Sequence, residues 1–209
     1  MKPLFAIILI FLSYNPINAQ EKNTAVTSTV LFETQGDLDK DNIPEKVIVY
    51  ETHQQTDLGS VRKLVIYKKN ASGNWVIWKQ SNNAILKSGE GGMAVEEPLQ
   101  KIEINKGVLV IEHQGGGGPT MWQIIHKYRF HKNTFYLIGV TTQNSEYENT
   151  TVFDYNLSTG NAIYSVYGDD VLTKKKQFNH KLKNQPTLKT VAFGKQKIEL
   201  PNDGITIYF

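Results

Sequence analysis

The chain has 209 residues, with 23 basic and 20 acidic side chains, a formal charge of +3 and no cysteine. So even a balance argues against an electrostatic nucleic-acid binder, and the missing cysteines exclude disulfides, thiolate metal sites and lipid attachment at a cleavage-site cysteine. The length suits one domain of good size, and no linker demands a second.

The chain opens like an export signal. Lys2 is a positive start, Leu4 to Leu12 is an unbroken apolar run, and Ile17-Asn18-Ala19 offers a small residue at a cleavage edge. Cleavage is expected between Ala19 and Gln20, giving a leader over 1–19 and a single β-rich domain over 20–209. The apolar run is shorter than the roughly 20 residues of a spanning helix, and Ser13, Asn15, Pro16 and Asn18 break it. No membrane span is therefore expected after cleavage, and the destination is periplasmic or secreted.

Strand then follows strand. Val26–Glu33, Lys46–Glu51, Lys63–Lys69, Trp75–Gln80, Leu99–Asn105 and Val108–His113 are rich in β-branched and aromatic residues. So are Met121–His131, Phe135–Thr142, Thr151–Asn156 and Ala162–Tyr167, with weaker candidates at Thr187–Phe193, Lys197–Leu200 and Ile205–Phe209. Short separators such as Asn105-Lys106-Gly107 and His131-Lys132-Asn133 imply antiparallel neighbours. The expected fold is all-β: an antiparallel meander forming a sandwich or a strongly curved sheet, not a closed propeller. Val108-Leu109-Val110-Ile111 is apolar on both parities and reads as a central strand. From Trp122 the core-facing parity is Trp122, Ile124, His126, Tyr128 and Phe130, so His126 reads as a hydrogen-bonded core histidine. The late basic run Lys174-Lys175-Lys176 reads as a solvated loop.

The most specific local pattern is Gly36-Asp37-Leu38-Asp39-Lys40-Asp41-Asn42-Ile43-Pro44-Glu45. Counted from Asp37, carboxylates fall at positions one, three, five and nine. Calcium takes six to eight oxygens, and a loop of this spacing can wrap it. Asp37, Asp39 and Asp41 would give side-chain oxygens. Ile43 would give its carbonyl and turn its side chain inward, and Glu45 would close the site. Asn42 takes the position where a left-handed residue is needed, which asparagine tolerates. Position twelve is Ile48, inside a strand, where a helix-loop-helix site needs a glutamate. Four carboxylates so close repel one another unless a cation neutralises them; Lys40 and Lys46 do so only partly.

The segment GDLDKDNIPEKVIVY resembles the calcium-binding hairpin of FG-GAP/VCBS repeats, the units of integrin-type propellers. The resemblance implies calcium ligation by Asp37, Asp39, Asp41 and Glu45, with Asn42 replacing the family's glycine and Glu45 an aspartate. It covers about fifteen residues and occurs once, whereas a propeller typically needs at least four blades. The wider chain is similar to uncharacterised secreted proteins of Bacteroidota that share a Gly-Glu-Gly-Gly-Met stretch and a Tyr-x-Phe…Leu-Ile-Gly hairpin.

Two glycine-rich stretches, Ser88–Met93 and Gln114–Thr120, complete the motifs. If Asn105-Lys106-Gly107 is a hairpin turn, Leu99 or Gln100 pairs near His113. Glu90, Glu96, Glu97, His113 and Trp122 then gather at one rim, a candidate ligand site. A phosphate cradle needs a following helix, and here a strand follows. A facing glutamate pair would suit a glycosidase, while mobile loops with close backbone approach are the simpler reading. Trp75 and Trp78 have opposite parity, so a flat sugar platform could use only one of them. The functional expectation is an exported, non-catalytic β protein with one structural calcium loop. Its partner would be a polysaccharide or envelope protein; the alternative is a hydrolase or carbohydrate-binding module acting on cell-surface polymers.

Overall fold

A computed structural model describes residues 28–209. The leader expected over 1–19 and the first residues of the strand expected from Val26 lie outside the described residues.

The described residues form thirteen strands: β1 (Thr29–Gly36), β2 (Glu45–Thr56), β3 (Gly59–Lys69), β4 (Trp75–Ser81), β5 (Leu99–Asn105), β6 (Val108–Gly117) and β7 (Thr120–His131). They continue as β8 (Thr134–Glu146), β9 (Asn149–Asn156), β10 (Asn161–Gly168), β11 (Val171–Asn179), β12 (Lys197–Glu199) and β13 (Thr206–Tyr208). Four form the sheet β1-β2-β3-β4, seven the sheet β5 to β11 in chain order, and β12-β13 a small hairpin. Every pairing is antiparallel between consecutive strands. This is the expected all-β meander, and none of its sheets closes into a barrel.

Tight turns make this topology possible. Lys106-Gly107, Lys132-Asn133 and Asp169-Asp170 each join two strands with positive φ at both residues. Such turns match the twist of the strands they connect.

Alternation builds the core. Val47, Val49, Leu64 and Ile66 from the first sheet share one cluster with Leu109, Ile111, Tyr128, Leu137, Phe153 and Tyr164 from the second. Ile198, Leu200 and Phe209 from the small hairpin join it. Trp78 of β4 packs on Phe130 and Phe135, with ring centroids 4.5 and 5.5 Å apart, and so ties the two large sheets together.

Three expectations are corrected. β6 lies inside its sheet, but Val108 and Val110 stay half-exposed, so only one face is covered. The basic run is not a loop but the edge strand β11, and Lys174 and Lys176 turn to Asp203 at 3.3 and 3.1 Å. Lysines on an edge discourage pairing with another chain. Residues 187–193 form turns rather than a strand. β9 pairs with β8 only from Gly139 onward. The free backbone before it is met by Pro186 and Leu188, through Leu137 N to Pro186 O and Leu188 N to Phe135 O, both 2.9 Å.

Candidate metal centre

The acidic stretch is the connection between β1 and β2, and its own side chains fold it. Asp37 accepts the Lys40 N–H on Oδ1 (2.6 Å) and the Asn42 N–H on Oδ2 (3.0 Å). Asp41 Oδ1 accepts the Ile43 N–H at 2.8 Å. These bonds hold Lys40 and Asn42 in left-handed conformations, φ 69° and 67°. The left-handed residue expected at Asn42 is present; the one at Lys40 carried no sequence signal. Leu38, 1% exposed, anchors the loop in the core. Gly36 lies so close to Ile104 of β5 that a Cβ would overlap its side chain.

Glu45 opens β2 opposite Gly36 and is completely buried. Its Oε2 accepts the Leu38 N–H at 2.7 Å, while Oε1 has no hydrogen-bond partner among the described residues. Asp39 Oδ1 is likewise buried and unpartnered. Asp37, Asp39 and Glu45 each present one oxygen, and these lie within 4.8 Å of one another, so the triad could hold a metal ion. Burial pushes the Glu45 carboxyl above its ordinary value, helped by the charges of Asp39 and Asp41; the Leu38 N–H and Lys68 oppose this. For an acid, that is the mark of carboxylates crowded in a partly dry site.

The loop departs from expectation in two respects. Ile43 does not turn its side chain inward: the residue is 45% exposed. Asp41 stands outside the triad, its oxygens taken by the Ile43 N–H and by Lys68. The hydrogen bonds from Lys68 and Ile43 hold its carboxyl below the ordinary value.

Lys68, near the end of β3, is the residue the sequence reading missed. Its ammonium donates to Asp39 Oδ2 and to Asp41 Oδ2 (2.7 Å) and lies 3.8 Å from Glu45 Oε1. Those bonds hold its pKa far above the ordinary lysine value. No local motif could have announced it. Only the register, with Lys46 opposite Tyr67, carries the next residue of β3 to the loop.

The glycine-rich stretches meet as expected, but not as open loops. Leu99 pairs with His113, and a bridge joins Gly92 to Gly116. The Gly116 N–H donates to Gly91 O at 2.8 Å and the Ala94 N–H to Gly116 O at 3.1 Å. At Gly115 a Cβ would enter the Trp122 ring and meet the Gly91 carbonyl, so this position requires glycine.

The rim side chains point to different tasks. Glu97 grips the buried Arg62 with both oxygens, at 2.5 and 2.6 Å. Glu90 turns back on Lys87, accepting its N–H at 2.7 Å. Glu96 is exposed, and Trp122 is packed against Gly115. His113 is wholly buried; its Nε2 accepts the Leu86 N–H at 3.3 Å. His126 is also wholly buried, but neither ring nitrogen has a hydrogen-bond partner among the described residues, contrary to the satisfied core histidine expected. Phe193 stacks on His126 and meets His113 edge-on, at 4.8 and 4.7 Å. Trp75 and Trp78 do part: Trp78 packs against the core, while Lys46 and Lys69 lie over the Trp75 ring at 5.0 and 5.2 Å.

Fold and site together define an all-β protein of open antiparallel sheets carrying one carboxylate-rich strand connection. No protein-family model, curated protein or solved structure matches this chain.

Proposed function

We propose that the β1–β2 connection is a structural calcium site in an exported β protein that works by binding, in the periplasm or outside the cell, on a polysaccharide or envelope protein. The observation that carries the metal reading is the buried Glu45, whose unpartnered Oε1 shares one small volume with oxygens of Asp37 and Asp39. A buried carboxylate oxygen without a donor is costly, and a cation removes the cost. Charge points the same way: the Lys68 ammonium faces three of the four loop carboxylates with one positive charge, which leaves room for a divalent ion. The ligand chemistry is all oxygen, which suits calcium rather than zinc or copper. The resemblance of residues 36–50 to FG-GAP/VCBS hairpins supports the same assignment. Calcium would tie the loop to the start of β2, and the lack of cysteine gives such a cross-link a purpose in an oxidising compartment.

Binding is favoured over hydrolysis because two of the three rim glutamates, Glu97 and Glu90, are held by Arg62 and Lys87. Export and location rest on the 1–19 leader pattern alone.

The test is thermal unfolding of the full chain in calcium, in magnesium and in chelator. Calcium at a hundredfold excess over Kd adds about 2.7 kcal/mol, which raises Tm by roughly 5–10 °C for a chain of this size. Asp39→Asn should abolish the gain. Equal melting in calcium and chelator would remove the calcium assignment.

A further inference from the structure

We propose that Lys68 is a tethered competitor for the metal position: its ammonium and a calcium ion take the same carboxylates in turn, and calcium binding moves Lys68 onto the face of Trp78. This inference rests on the calcium reading and adds to it the element that sets the site's affinity.

The geometry carries it. Lys68 Nζ contacts three of the four loop carboxylates, those of Asp39, Asp41 and Glu45. Two of these three also hold the buried unpartnered oxygens, Asp39 Oδ1 and Glu45 Oε1. The ammonium therefore sits where the negative charge converges, yet leaves oxygens unsatisfied. A lysine ammonium has three N–H donors and one charge. Two donors are spent on Asp39 and Asp41. A calcium ion draws six to eight oxygens to 2.3–2.6 Å, so it draws on the Asp39 carboxylate that Lys68 now holds and on the Glu45 oxygen that Lys68 faces. Two cations cannot share so small a volume, and one must leave.

Lys68 has somewhere to go. Its Nζ already lies 5.3 Å from the Trp78 ring centroid, within cation–π range. Its side chain is 27% exposed, and a four-carbon stem can swing its head toward water without moving β3. Because the metal-competent arrangement requires this departure, apparent affinity is weakened by the fraction of time the lysine is out. A loop of four carboxylates is thereby detuned from tight to weak binding, which suits a compartment rich in calcium.

The test is calorimetric titration of the full chain with calcium chloride, comparing wild type, Lys68→Met and Lys68→Arg. Lys68→Met keeps the stem and removes the charge, and should bind calcium at least about tenfold more tightly. Lys68→Arg keeps a cation and should stay near wild type. In chelator Lys68→Met should melt lower than wild type, and in saturating calcium the gap should close. If wild type binds calcium and Lys68→Met binds equally or more weakly, the competition is refuted while the calcium site stands. If no protein binds calcium, the calcium reading falls and this inference with it. If only Lys68→Met binds, the lysine is a permanent occupant and the exchange is refuted.

Discussion

Mild acid should destabilise this protein through its two buried histidines, and His126 allows the size to be worked out. Burial alone drives its pKa from 6.5 down to about 3. His113 is lowered too, by burial first and then by the charges of His126 and Arg62. Both are neutral in the folded chain at neutral pH, whereas an unfolded chain protonates them near 6.5. Below that value the unfolded state binds more protons, so stability falls as pH falls, until the folded pKa is reached. At pH 5.0 the unfolded His126 lies one and a half units below its pKa, which costs about 2 kcal/mol relative to pH 7.5. His113 adds to this in the same direction. Glu45 works oppositely at lower pH, because its raised pKa lets the folded state take up a proton first. Urea unfolding of wild type and His126→Leu, followed by tryptophan fluorescence at pH 7.5, 6.0 and 5.0, separates the contributions, since groups other than His126 are common to both. Wild type should lose about 2 kcal/mol more than the variant between pH 7.5 and 5.0. At pH 7.5 the variant should be near neutral, because the imidazole it removes makes no hydrogen bond. Parallel losses in the two proteins would show that His126 does not carry this acid sensitivity.

Two further outcomes follow from packing. Gly115→Ala should destabilise by roughly 1–3 kcal/mol, since its Cβ would enter Trp122 and the Gly91 backbone; Gly117→Ala, with nothing within 4 Å, should stay within about 0.5 kcal/mol. Urea midpoints of the pair check whether close approach, rather than glycine as such, is what matters. Glu97→Gln should cost about 1–2 kcal/mol, because Arg62 is 2% exposed and, among the described residues, would keep Glu51 at 3.3 Å as its charged partner. The figure is below that of a fully buried pair because Glu97 itself is 39% exposed and screened. Denaturant titration at pH 7.5 reads this loss directly.

Alternation made most of the fold legible in the sequence. From His126 to Arg129 buried and exposed residues alternate, whereas Trp122 to Ile125 are all half-buried, and tight turns such as Lys106-Gly107 fix which strands are neighbours. β11 was hidden because an edge strand facing water needs no apolar alternation: its first five residues are all exposed. Thr187–Phe193 failed in the opposite sense. Its composition suits a strand, but β9 covers β8 from Gly139 onward, so one bridge forms at Thr187 and the rest turns away.

The acidic loop shows the same division. Its carboxylates, their spacing and the left-handed Asn42 are properties of contiguous residues and were legible in the chain. What the tertiary structure alone decided is which oxygens converge and what opposes them. Glu45 is buried because it opens β2 against Gly36, Ile43 is turned out to solvent, and Lys68 reaches the site from another strand. The physical reason is range. Local hydrogen bonds shape a loop within a few residues, whereas the charge that balances it arrives through strand register, from 27 and 29 residues away along the chain.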